Sequence, residues 1–374
     1  MKNNSLIVRK GGGGLPLLFF VLGIAIFGTV MIYSASCYTA EKDYGNKFYF
    51  VTKQAVGLII GLASMIFCYK FNYKKLQKSG LALYIFGVVL LALVFVPFLS
   101  VEVYGAKRWI KLFFITIQPS EIAKFCFIIF TASYFSRKPE RISSFKGILP
   151  VVIAGCVMCV LIILEPNMSI TMCVALLMLG LLFASGIKFK HLCVFIVPVL
   201  LAVPLLIAIE PYRLKRFSAF INPWASPKGE GYQLIQSLYA LGSGGWFGIG
   251  LFNSRQKYKF LPFSESDFIL SVIGEELGFF GVLTLFLFMG YIVCFGMKTA
   301  LNTKDLFGYL LSVGITLIYA IQIAINALVV TGSIPPTGLP LPLISAGNTS
   351  LIVYMAAFGL LAGISERTDF VRFK

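Results

Sequence analysis

Apolar runs of about 17–25 residues recur from one end of this chain to the other, and each is long enough to cross a bilayer as a helix. Few folds are open to such a sequence. Inside lipid every backbone N–H and C=O must be paired within the protein, so the runs must become helices packed on one another. Ten spans are expected, at about residues 15–33, 54–69, 81–99, 122–135, 147–164, 169–187, 192–209, 279–296, 308–328 and 350–364. The predicted fold is an all-α polytopic membrane protein, a single integral domain over residues 1–374. A large extracytoplasmic loop, 210–278, separates spans 7 and 8. The first run, Leu15–Tyr33, is too long for a cleaved signal, and further spans follow it.

Charge supplies the orientation. Only 13% of the residues are charged and 58% are hydrophobic, with a mean hydropathy of +0.89, whereas soluble domains are about one-quarter charged. A net charge of +17 could suit nucleic acid, but basic residues of helical membrane proteins gather in cytoplasmic loops. With the N-terminus inside, Lys70, Lys74, Lys75 and Lys78 share one inner loop and Arg137, Lys138, Arg141 and Lys146 the next. Lys188, Lys190, Lys298, Lys304, Arg367 and Arg372 fall on that side too. Both termini are then cytoplasmic, the partner surface is the membrane, and nucleic acid is excluded. The outer face receives the chemically rich segments 100–121, 165–168, 210–278 and 331–349.

The eight cysteines sit mostly in apolar runs, with only Cys37 in a loop, so no disulfide framework is expected. Cys156 and Cys159 form C-x-x-C inside a span, where small buried hydrophobes are the expectation. The single histidine, His191, is read as solvated in a short basic loop. A His-centred triad or a His-ligated metal has little to draw on. No cofactor is evident, and no metal-ligand set. A flexible lead-in is expected at Gly11–Gly14.

The segment 242–278 is the least like membrane filler. It joins a glycine cluster (Gly242, Gly244, Gly245, Gly248, Gly250), a basic-aromatic run (Arg255, Lys257, Tyr258, Lys259, Phe260) and the carboxylates Asp267, Glu275 and Glu276. Short interfacial helices, rather than strands, are expected across 210–278. A helix starting at Asp267 would put Asp267, Ser271 and Glu275 on one face. Asp267 then reads either as an N-cap or as a partly desolvated carboxylate suited to general-base work. Glu275 and Glu276 precede a break at Gly278 and either pair with nearby cations or mark a pathway. The glycines permit tight backbone and close ligand approach. The basic run suits a phosphate-bearing headgroup or a solvated loop. Lys107, Arg108, Trp109 and Lys111 precede a helix start at Pro119, where Glu121 and Lys124 can pair at i, i+3. The proline-rich stretch Thr331–Ser350 is irregular backbone at membrane depth, which is tolerated only where it lines a cavity or packs on protein.

These pieces together resemble the SEDS family of FtsW, RodA and SpoVE. The likeness runs from MIYSAS (Met31–Ser36) to GLLAGIS (Gly359–Ser365). Its specific parts are GAKRWIKL with QPSEIAK, GYQLIQSLYALGSGGWFGIGLFNSRQKYKFLP, SDFILSVIGEELGFFG and TGLPLPLIS, closer to FtsW and SpoVE than to RodA. The resemblance implies a peptidoglycan glycosyltransferase in the bacterial cytoplasmic membrane. Such an enzyme polymerises lipid II, the undecaprenyl diphosphate-linked disaccharide peptide, on the outer face, with a class B penicillin-binding protein in a divisome or related complex. It puts the catalytic carboxylate at Asp267. Substrate-binding roles fall on Lys107, Arg108, Lys111, Glu121, Lys124, Gln233, Ser237, Asn253, Lys257, Glu275 and Ser345. A divalent cation, Mg or Mn, is compatible with a diphosphate leaving group. A lipid II flippase, or a non-catalytic scaffold for the penicillin-binding protein, are the alternatives. Two departures touch the cavity: Asn167 stands where the family commonly has an acid, and Ala346 where it commonly has Tyr.

Overall fold

The computed structural model describes residues 7–9, 13–103, 106–112, 115–368 and 370–372. A helix stands at each expected span. The first seven are α1 (Gly14–Tyr44), α2 (Tyr49–Lys70), α3 (Leu76–Leu93), α4 (Pro119–Arg137), α5 (Phe145–Leu164), α6 (Met168–Ala184) and α7 (Phe189–Ile209). After two short helices, α8 (Pro211–Ile221) and α9 (Tyr232–Gly244), come α10 (Ile269–Asn302), α11 (Leu306–Val330) and α12 (Asn348–Glu366). Among the described residues seven helices are long and apolar enough to cross a membrane, namely α1, α2, α3, α5, α10, α11 and α12. Met168–Ala184 and Phe189–Ala202 are shorter apolar helices. The chain is thus a helical, multi-pass membrane protein. α11 and α12 are the most buried of the long helices, and their rings Tyr319, Tyr354 and Phe358 pack edge-to-face at the centre.

Strand β1 (Ile7–Arg9) pairs antiparallel with β5 (Phe370–Arg372), so these two strands lie on one face. The turns after α2 and α10 join them there: the Tyr73 hydroxyl donates to Asp305 and the Arg367 guanidinium donates to the Lys70 and Phe71 carbonyls. The longer connections gather on the opposite face, hereafter the loop face.

Several local expectations are revised. The stretch 100–117 is a three-stranded antiparallel sheet, β2 (Ser100–Val103), β3 (Ala106–Leu112) and β4 (Ile115–Ile117); its Gly105, Phe113 and Phe114 lie outside the described residues. Cys37 is not in a loop, because α1 continues through it to Tyr44. At 31 residues and about 1.5 Å per residue, α1 outruns the hydrocarbon layer and stands above it. His191 lies in the first turn of α7, half-buried against the Phe145 ring. Gly11 and Gly12 lie outside the described residues, and Gly14 already opens α1.

Part of the glycine cluster serves a helix break. α10 is two helices joined at Gly278, whose φ is 67°. A break at membrane depth frees backbone groups that must be paired again. The loop after α9 pairs them: Phe279 and Phe280 N–H donate to the Gly245 and Trp246 carbonyls, and Ile249 and Gly250 N–H donate to the Glu275 and Glu276 carbonyls. The approach is so close that a Cβ at Gly278 would sit 2.3 Å from the Gly248 nitrogen.

Candidate functional site

Asp267 stands two residues before α10, in a turn held by α1, α11 and the proline-rich loop. The expected helix from Asp267 does not form. Phe263 takes a positive φ of 57° and its carbonyl accepts from the Ser266 and Phe268 N–H groups, so α10 begins only at Ile269. Asp267 therefore does not cap the helix, whose N-cap position is Phe268 with no side-chain capping bond. From α1, the Ala35 carbonyl accepts from the Ser264 hydroxyl. From α11, Asn326 Nδ2 donates to the Asp267 carbonyl at 2.9 Å. From the proline-rich loop, Ser345 Oγ donates to the Ser266 carbonyl at 2.6 Å and the Ala346 N–H to the Glu265 carbonyl. The α8 side reaches the same loop, with Arg216 donating to the Pro336 carbonyl.

The carboxyl is half-buried between buried Phe268 and the loop. A Cβ at Gly338 would touch nothing within 4 Å except Asp267 Oδ2, at 3.1 Å. Burial pushes the Asp267 carboxyl up to about 6, and neighbouring Glu265 adds to the rise. Arg216 and Arg108 pull it back without cancelling the burial. A carboxylate near neutrality is a stronger base than an ordinary one and is still ionised at pH 7. Burial also raises Glu265, and raises Glu165 to about 8, with Arg108 opposing at Glu165.

The basic run before α4 divides by strand geometry. Successive side chains of a strand face opposite sides. Arg108 therefore separates from Lys107 and Lys111, which are exposed. Arg108 Nε donates to the Glu165 carbonyl at 3.3 Å and its Nη2 to the Pro166 carbonyl, and its charge acts on Asp267. Asn167 keeps the capping acceptor an acid would supply, taking the Ile170 N–H at the start of α6.

The remaining expected residues fall into four places. Ser345 and Gln233 are beside the Asp267 turn, Gln233 donating to the Pro262 carbonyl at 3.3 Å. Ser237 is fully buried between α9, α10 and α11, bonded to Ser271 and to the Val330 carbonyl. Glu275 is also buried, and its oxygens take the Ser254 hydroxyl and the Arg255 and Gln256 N–H groups, so it ties down the loop. Lys257 is buried with its ammonium on the Phe252 carbonyl, and exposed Asn253 donates to the Ile249 carbonyl. Glu121 and Lys124 form an ion pair at 2.9 Å with both side chains 0% exposed; in this conformation they face protein. Glu276 bridges Ser34 and the Ser254 N–H.

Arg216, Glu265, Glu165, Gly338 and Asn326 lie at or near the site and were not singled out by sequence. Arg216 had one signal, membership of the basic amphipathic segment 211–221. Asn326 had another, as an amide in an apolar span.

Comparison with known proteins adds to this geometry. Residues 15–369 match the model of the FtsW/RodA/SpoVE family, described as cell cycle proteins. This chain belongs to that family. It is 37% identical over 352 residues to a probable peptidoglycan glycosyltransferase FtsW of Trichlorobacter lovleyi, covering 94% of this chain and 92% of the relative. It is 34% identical over 362 residues to stage V sporulation protein E of Bacillus subtilis, covering 96% and 99%. Among solved structures, a chain of a peptidoglycan synthase complex that coordinates polymerisation and crosslinking aligns with a TM-score of 0.76 at 28% identity, over 94% of this chain and 97% of that one. The rod shape determining protein RodA of Thermus thermophilus aligns with a TM-score of 0.67 at 25% identity, over 94% and 95%.

Proposed function

We propose that this protein is a peptidoglycan glycosyltransferase that extends glycan strands from lipid II, with Asp267 as general base. One observation carries the assignment: a half-buried carboxyl on the loop face, packed toward the proline-rich loop, raised toward neutrality and within the field of Arg108 and Arg216. Asp267 takes the proton from the 4-hydroxyl of the acceptor GlcNAc. The freed oxygen attacks the donor's anomeric carbon, the C–O bond to the lipid diphosphate breaks, and that diphosphate leaves with the electron pair. A single displacement inverts the anomeric centre, and one base suffices. The departing diphosphate gathers negative charge, which preorganised cations stabilise. Arg108 and Arg216 are the cations that already act on Asp267, and exposed Lys107 and Lys111 lie along the same strand as Arg108. A divalent cation is compatible with this place, because Mg²⁺ is commonly held by one or two carboxylates together with substrate phosphates and Glu265 supplies a carboxylate beside Asp267.

The loop face is then extracytoplasmic and the paired termini cytoplasmic, as the distribution of Lys and Arg favours. The peptidoglycan synthase complex with the similar fold couples polymerisation to crosslinking. A class B penicillin-binding protein is the corresponding partner proposed here, in division or related wall synthesis. The test is polymerisation of lipid II by purified wild type and Asp267→Asn, alone and with that partner. Loss of about 10²–10⁴ in rate is expected for removal of a general base. Near wild-type polymerisation by Asp267→Asn would overturn the assignment.

A further inference from the structure

We propose that Asn326 and Gln322, two amides one helical turn apart on α11, are positioning residues that set where Asp267 stands against the proline-rich loop. The inference rests on the glycosyl-transfer reading above.

Both side chains are buried, Asn326 at 1% and Gln322 at 0% exposure, in a helix that is otherwise largely apolar. An amide placed there costs stability unless it is hydrogen-bonded. Asn326 Nδ2 donates to two carbonyls at once, Asp267 at 2.9 Å and Leu339 at 2.8 Å. One planar NH₂ with two fixed N–H directions thereby fixes the distance between two chain segments. Gln322, four residues earlier and so on the same helix face, donates to the Pro340 carbonyl at 3.1 Å. Its Oε1 accepts from Lys124 Nζ at 3.0 Å and from the Tyr354 hydroxyl at 2.6 Å, and Lys124 is held in turn by Glu121.

The recipient loop explains the arrangement. Leu339-Pro340-Leu341-Pro342 cannot build a regular ladder, because proline has no N–H and restricts its neighbour. Side-chain amides bond its carbonyls instead. The same loop carries Gly338, so near the Asp267 carboxylate that an added Cβ would stand 3.1 Å from Oδ2. A displacement at Leu339 therefore passes straight to the reacting group. In this arrangement the Glu121–Lys124 pair acts through Gln322 on the wall of the site, and does not itself touch substrate.

The experiment measures kcat, KM for lipid II and the pH profile of polymerisation with purified full-length protein. Asn326→Ala should lower kcat about 10- to 100-fold, the penalty of a misplaced catalytic group, while KM moves less than about threefold. The acid limb of the profile should shift to lower pH. Burial holds the Asp267 carboxyl up at about 6, Glu265 assists, and Arg216 and Arg108 oppose; loosening the turn admits water and relieves the burial. Loss of folded protein would scale the profile without moving its limb. Asn326→Leu, close in volume and apolar, is read by the same criteria if the alanine variant does not fold. Gln322→Leu and Lys124→Met should each lower kcat, and the double variant should be no worse than the worse single one. Multiplying losses with a raised KM would place Lys124 on the substrate and overturn the proposal. Ser312→Ala, buried nearer the other end of α11, should stay within about twofold, as distant sites do. Absent polymerisation by wild type, or full activity of Asp267→Asn, counts against the glycosyl-transfer reading. An active wild type and inactive Asp267→Asn, beside an Asn326→Ala with unchanged kcat and limb, counts against positioning alone.

Discussion

The two faces of this protein use charge differently. On the terminal face, Arg367 donates to the Lys70 and Phe71 carbonyls, Arg137 to those of Gln77 and Lys78, and Arg141 to that of Tyr134. Arg367 and Arg141 meet carbonyls at the C-terminal ends of α2 and α4, where they lack helical partners, and Arg137 ties the end of α4 to the first turn of α3. On the loop face, Arg108 and Arg216 also bond carbonyls, yet both bear on a carboxyl of shifted pKa in an irregular turn. Backbone strain follows the same division: Phe252, Lys259, Phe263 and Leu343 take positive φ on the loop face. Strain persists where surrounding structure over-determines it, and it tends to mark functional sites. The same residue type thus finishes helices on one face and prepares chemistry on the other.

The largest effect should come from Asp267→Asn, a loss of about 10²–10⁴ in polymerisation rate. Substitution of Arg367 by Gln should leave the rate within about twofold, in line with a distant surface site. A large rate loss from Arg367→Gln alone would break the contrast between the faces. Next come Arg216→Ala and Arg108→Ala, each expected to reduce kcat about 10- to 100-fold if they stabilise the leaving diphosphate, measured at saturating lipid II. Gly338→Ala places a methyl 3.1 Å from the Asp267 carboxylate. It should cost about tenfold in kcat through displacement of the base, with the protein's melting behaviour in detergent preserved. The pH profile sharpens the comparison further. The base works ionised, so the rate should rise with pH through a midpoint near 6 and level off above it. A midpoint in the ordinary carboxylate range would mean that Asp267 is fully solvated during turnover. The smallest effect is structural: Glu275→Gln weakens the bonds to Ser254, Arg255 and Gln256 and should lower stability by about 1–3 kcal/mol, read as a shift of the unfolding midpoint.

Much of the fold was legible because lipid allows one solution. Long apolar runs had to be helices, and the expected i, i+3 pair of Glu121 with Lys124 and the break at Gly278 are both present. The sheet at 100–117 was not legible, since its basic-aromatic run also reads as an interfacial belt, and only pairing between distant positions such as Ser100 and Ile110 makes it a sheet. Asp267 stood out by resemblance, while spacing alone favoured a helix cap. Arg216 could not be assigned to it at all, being 51 positions away in sequence and joined to it only through folding. Glu121 and Lys124 looked like binding residues and turned out sealed inside protein.

What this chain determined by itself is its solvent and the placing of its long helices, because period and length act locally and need no partner from elsewhere in the chain. The acidity of Asp267 was decided only by tertiary structure. Its rise comes from burial in a turn held by α1, α11 and the proline-rich loop, with Glu265 adding to it and the arginines of α8 and β3 opposing it. Desolvation and Coulomb interaction depend on distance in space, and distance in space is what a linear sequence does not state.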